Sequence, residues 1–189
     1  MKIKIFLSKT GIFLLFLIIG FSFRFFWYFF PQKEIMEYQF IEKPFREAKG
    51  GGKTPEETWA KYLDALEKEN FDETLKYSIT EDINESRKTF QLLKEKNLLK
   101  KQAECERKLY FDKDVDLGEI GHSEWKNFGI VMKRYKAKCR TYKEIDFLFT
   151  EEQFKPLLEK IWEGGEEFKD EFHYIDFIYN PYTKTWFIK

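Results

Sequence analysis

Apolar positions along the 189-residue chain change their spacing three times. From Gly11 to Phe23 every residue is apolar, Gly or Ser, and after Arg24 an aromatic run from Phe25 to Phe30 leads to Pro31. About 20 residues of helix rise about 30 Å, enough to cross a hydrocarbon core. From Thr54 the spacing becomes helical. Trp59, Tyr62, Leu63 and Leu66 fall at i, i+3, i+4 and i+7, behind a helix start made of Thr54, Pro55 and Glu57. A short helix is expected over Asp72–Ser78, and a long one over Asp82–Leu99 with Ile83, Phe90, Leu93 and Leu98 inward. Alternation then takes over. Strands are expected around Cys105, Arg107, Leu109 and Phe111, over Phe128–Arg140, and over Tyr142–Phe149 with Ile145, Phe147 and Phe149 on one face. Thr150 opens a further helix whose stripe is Phe154, Leu157, Leu158, Ile161 and Trp162, stopped by Gly164-Gly165. The end reads as a hairpin, Phe172–Tyr179 and Lys184–Lys189 around Asn180-Pro181-Tyr182-Thr183.

This pattern divides the chain into a short basic cytoplasmic tail (1–9), a transmembrane signal-anchor helix (10–30) in contact with membrane lipid, a juxtamembrane linker (31–53) and an extracytoplasmic α+β domain (54–189). Arg24 lies where it can snorkel to headgroups, and Trp27 and Tyr28 suit an interfacial belt. The bulky exit carries no small-x-small cleavage site, and no Cys precedes Cys105, which argues against a cleaved signal peptide and against a lipoprotein. Lys2, Lys4 and Lys9 favour a cytoplasmic N-terminus, although Lys33, Lys43, Arg46 and Lys49 follow the helix and reduce the contrast. Gly50-Gly51-Gly52 reads as a flexible joint.

Composition and charge refine this picture. Aromatic residues make up 20% of the chain, with 22 Phe, so many must be buried. The formal charge is zero, but residues 1–31 hold four cations and no acid, which leaves the remainder acidic and gives no reason to expect nucleic acid as a partner.

Helices first, then a curved antiparallel sheet with Trp in the last strand: this order resembles the nuclear-transport-factor-2-like superfamily. The stretch Thr54-Pro55-Glu56-Glu57-Thr58-Trp59-Ala60-Lys61-Tyr62-Leu63-Asp64-Ala65-Leu66, followed by Asn70-Phe71-Asp72, looks like that fold's opening helix and the turn into its second. Tyr179 through Ile188 looks like its final hairpin. The resemblance implies helices packed on a cone-shaped sheet. It covers enzymes such as polyketide cyclases, ligand-binding modules, and membrane-tethered domains of envelope assemblies, whose layout is similar to this one.

Candidate chemistry is sparse. Gly52-Lys53-Thr54 is not a phosphate loop, because Glu47 stands where its first glycine belongs and Pro55 follows. Asp112-Lys113-Asp114-Val115-Asp116-Leu117-Gly118 misses a calcium loop by one position at its glycine and at its closing carboxylate, Glu124. Two cysteines 34 apart and two histidines without paired spacing give no zinc set, and no fingerprint points to a cofactor. His122-Ser123 is too local for a catalytic triad. His173 with Asp176 would suit a cyclase- or dehydratase-like dyad. If antiparallel pairing sets Leu109 opposite Tyr135, Cys105 faces Cys139 directly, within disulfide range; the alternative is two buried thiols. The expected function is a non-catalytic binding or assembly module of the cell envelope, taking a protein partner or small ligand. The alternative is a small enzyme using His173 and Asp176 in an aromatic pocket.

Overall fold

The computed structural model describes residues 42–80, 82–113 and 128–189. The chain divides into two compact units, Met1–Glu47 and Ala48–Lys189. Within the first, the described residues form one short helix, α1 (Lys43–Glu47), with Arg46 paired to Glu42 one turn earlier. The segment expected as a membrane anchor, 10–30, lies outside the described residues. No helix among the described residues is long and apolar enough to cross a membrane.

The second unit is α+β. Helix α2 (Pro55–Glu67) begins as its sequence demands: Thr54 Oγ1 accepts from Glu57 N–H at 3.1 Å, and Glu57 accepts from Lys53 N–H at 2.8 Å. Asn70 caps α3 (Phe71–Thr74), and Asp82 caps α4 (Ile83–Glu95) by accepting from the N–H groups of Asn84 and Glu85. The long helix expected over Asp82–Leu99 is broken. Asn97 takes a left-handed φ of 57°, and a separate turn, α5 (Leu99–Gln102), follows. The break turns Leu98 and Leu99 into the core beside Phe90 and Leu93, whereas Ile83 is exposed.

Four strands form an antiparallel meander, β1 (Cys105–Phe111), β2 (Val131–Tyr142), β3 (Phe168–Asn180) and β4 (Thr185–Ile188), in that spatial order. The segment expected as a strand over Tyr142–Phe149 is instead helix α6 (Lys143–Phe149). Its apolar residues satisfy period two and the i, i+3, i+4 spacing alike, and Glu144 and Asp146 in the first turn favour the helix. Ile145 is buried and Phe149 exposed, so the alternating face does not exist. A 3₁₀ turn (Glu152–Phe154) leads into α7 (Lys155–Ile161), which places Pro156 in a first turn where no helical donor is lost. Thr150 closes α6, its hydroxyl donating to Asp146 O, and does not open α7.

One sheet face carries the core. Leu109, Ala137, Ile175, Phe177 and Ile188 pack against Trp59, Leu63 and Leu66 of α2 and against the α4–α5 corner. At the β3–β4 end both faces are buried, since Ile178 and Phe187, on the reverse side, are also inaccessible. The outer edge of β4 is closed: Trp186 exchanges backbone hydrogen bonds with Gly52, and Ile188 with Tyr77 and Ile79. The triglycine read as a flexible joint is thus part of the sheet edge. Thr58, fully buried, shares its hydroxyl proton between Thr54 O and Trp186 O.

Cys105 pairs with Cys139 in the register and the two are joined by a disulfide. The premise of that expectation was nonetheless wrong in detail. Leu109 lies opposite Ala137, not Tyr135, and an irregularity between Cys105 and Leu109 absorbs the difference. Two features of the α2–β1 contact coincide with it. Trp59 Nε1 donates to Glu106 O at 2.9 Å, and Arg107 turns to Ala60 O and the Asp64 carboxylate.

Candidate functional site

Where α2, α6 and the far end of the sheet diverge, a cavity of about 410 Å³ opens. That is within the range of small-molecule sites. Trp59, Tyr62, Leu63, Leu66, Ile175 and Ile188 supply an apolar floor. Trp59 and Tyr62 stack at 5.9 Å with 15° between their planes, and burial pushes the Tyr62 phenol up from its ordinary range. The disulfide forms part of the wall.

Polar groups gather at the rim. Thr141 near the end of β2 and His173 on β3 point to the same side of the sheet, and Thr141 Oγ1 lies 2.8 Å from His173 Nε2. Asp146 comes from α6, where its carboxylate accepts from the indole N–H of buried Trp162 at 3.1 Å. Burial raises the Asp146 carboxyl above its ordinary value and Glu171 adds to this; the indole, His173 and Lys169 act in the opposite sense. Thr141 and His173 are thus a hydroxyl and an imidazole within hydrogen-bond reach of each other at the rim.

The proposed His173–Asp176 dyad does not form. Three residues apart on a strand, the side chains leave opposite faces. His173 faces the cavity. The Asp176 carboxylate lies on the reverse face, bidentate with Arg134 at 2.6 and 2.7 Å. That face is a chequerboard of ion pairs and aromatic rings, including Arg140 with Asp170 and an edge-to-face Tyr110–Phe172 contact. His122 and positions 114–124 of the candidate calcium loop lie outside the described residues. Asp112 is buried beside the Lys136 ammonium at 3.3 Å. Among the described residues no group of three or more His, Cys, Asp or Glu is placed to hold a metal ion.

Asp146 and Thr141 were invisible as rim residues in the sequence because the segment from Tyr142 was read as a strand. The acidic first turn of α6 was the available signal. The raised Asp146 pKa has a definite sign. Its contribution to stability is fully present below the unfolded-state pKa and is lost as pH rises through the folded-state value. Asp146→Asn keeps an acceptor for the indole and removes the half-buried charge. Its melting temperature at pH 7 is therefore expected to equal or exceed wild type, with the gap closing as pH falls through the carboxylate range; differential scanning calorimetry over pH 3–8 checks this.

In comparison with known proteins, no family model, curated protein or solved structure matches the chain.

Proposed function

We propose that this is a single-pass membrane protein, anchored through residues 10–30 with its N-terminus cytoplasmic, whose outer α+β domain is a non-catalytic binding module of the nuclear-transport-factor-2-like kind. The observation that carries the reading is the cavity: an apolar, aromatic floor with a few hydrogen-bonding groups at its mouth. Such a site orients a small amphipathic ligand by its polar end while burying the rest. The anchor reading is supported by the apolar run of the sequence, broken only by Arg24 near its outer end, and by its aromatic, proline-ended exit. The fold reading is supported by helices preceding an antiparallel meander, with α2 laid across the sheet.

An amphipathic aromatic sulfonate, 1-anilinonaphthalene-8-sulfonate, serves as the probe. Saturable one-to-one binding is expected, and Thr141→Trp, which fills the mouth, is expected to weaken it at least about tenfold, or 1.4 kcal/mol. Equal binding by this variant would remove the cavity from the function. A second reading, a small cyclase- or dehydratase-like enzyme, is favoured by the half-buried Asp146 carboxyl at the same rim as His173. His173→Ala separates the two: biological activity survives if the module only binds, and is lost with the fold intact if His173 handles a proton.

A further inference from the structure

Helix α7 is held to the domain by few contacts and presents its apolar side outward. None of its seven residues is buried. Besides its packing on α6 and the turn before it, it is held by Trp162, just past its end, on Asp146, and by Lys169 of β3, which donates to Ile161 O at 2.6 Å. Phe154, Leu157 and Ile161, at i, i+3 and i+7, form one stripe and are exposed by 53%, 59% and 53%. A helix in a globular domain normally spends such a stripe on its own core. The charged side chains of the helix lie off it, Lys155 and Glu159 together on the opposite side. At about 100° per residue, Glu159 stands roughly 200° from both Leu157 and Ile161, on the opposite side, whereas Lys160 flanks the stripe. This is the arrangement of a helix lying in a membrane interface: apolar residues down, a lysine able to snorkel at the boundary, the carboxylate toward water.

We infer that α7 docks on a lipid bilayer through Phe154, Leu157 and Ile161. The inference rests on the anchor reading proposed above. The apolar run of the sequence ends at Pro31, and 17 residues (31–47) precede the unit Ala48–Lys189. Even fully extended they span roughly 60 Å, so the bilayer that holds residues 10–30 is always within reach. Three half-exposed side chains bind lipid weakly when free. The tether converts that weak contact into an intramolecular one at high effective concentration.

The test uses the full chain in phosphatidylcholine–phosphatidylglycerol vesicles, with Cys105 and Cys139 kept oxidised. Nitroxide labels are placed singly through Leu157→Cys, Ile161→Cys, Glu159→Cys and, in the anchor, Phe16→Cys. Labels at 157 and 161 are expected to be accessible to oxygen and shielded from a water-soluble nickel chelate, with the ratio inverted at 159. Aqueous labels at 157 and 161 overturn the inference, and a lipid-embedded label at 16 in the same preparation leaves the anchor reading standing. An aqueous label at 16 removes the anchor itself. Labels at 157 and 161 shielded from both reagents mean that protein covers the stripe, which also overturns the lipid assignment. Two stripe positions are used so that one perturbing substitution does not decide the outcome.

Discussion

Gly50→Ala is expected to destabilise the domain by about 3 kcal/mol or more, and to leave little folded protein if the native state is marginal. Gly50 has φ of +120°, a region L-residues rarely enter, and a methyl group there would stand 2.2 Å from Lys76 O. The obstacle is backbone, not the flexible end of a side chain. Lys76 O is also fixed in place, because it accepts from Gly51 N–H at 2.6 Å. The chain cannot yield without opening the seam that joins residues 50–52 to the edge of β4. Gly165→Ala is the internal comparison. Gly165 has φ of +77° but nothing within 4 Å of an added Cβ, so only the left-handed backbone cost of about 1–2 kcal/mol applies. Urea unfolding followed by tryptophan fluorescence measures both. Equal effects would mean that the Gly50 seam is not closed in solution.

Loss of the Cys105–Cys139 bridge is expected to cost about 4 kcal/mol. The bridge closes a loop with a sequence separation of 34, and loop-closure entropy sets that scale. Its position adds a functional consequence. The bridge lies in the cavity wall and ties β1 to β2 beside the irregularity at which Trp59 and Arg107 clamp α2 onto the strand. Cys105→Ser/Cys139→Ser and dithiothreitol-treated wild type are expected to show the same reduced urea midpoint. They are also expected to share a weakened affinity for the aromatic sulfonate. An unchanged wild-type midpoint in dithiothreitol would show that the thiols are unbridged in solution.

The helices of the first half were legible because their signals are local. Thr54, Asn70 and Asp82 cap through their own side chains, and the spacing of Trp59, Leu63 and Leu66 marks one buried face without reference to the rest of the chain. The same holds for the strand assignments around Cys105 and Val131, where alternation marks the strand. Residues 142–149 were not legible as a helix. Their apolar run fits both periods, and burial of Trp162 against Asp146 fixes the choice. The stripe Phe154, Leu157 and Ile161 is legible as apolar but not as outward-facing, because amphipathicity records that a face is apolar and not what covers it.

The sequence by itself determined the α+β class, the order of most elements and the Thr54 cap, all of which depend on neighbours within a few positions or on strand parity. Tertiary structure alone decided three things. It placed His173 at the cavity while sending Asp176 to the reverse face with Arg134, because strand alternation matters only once the buried face is known. It made the triglycine a seam, because β4 needed a partner on its open edge. It shifted the β1–β2 register between Cys105 and Leu109, and this is where α2 bonds to the strand through Trp59 and Arg107. Each of these is settled by contacts between residues far apart in the chain, and no pattern within one segment encodes them.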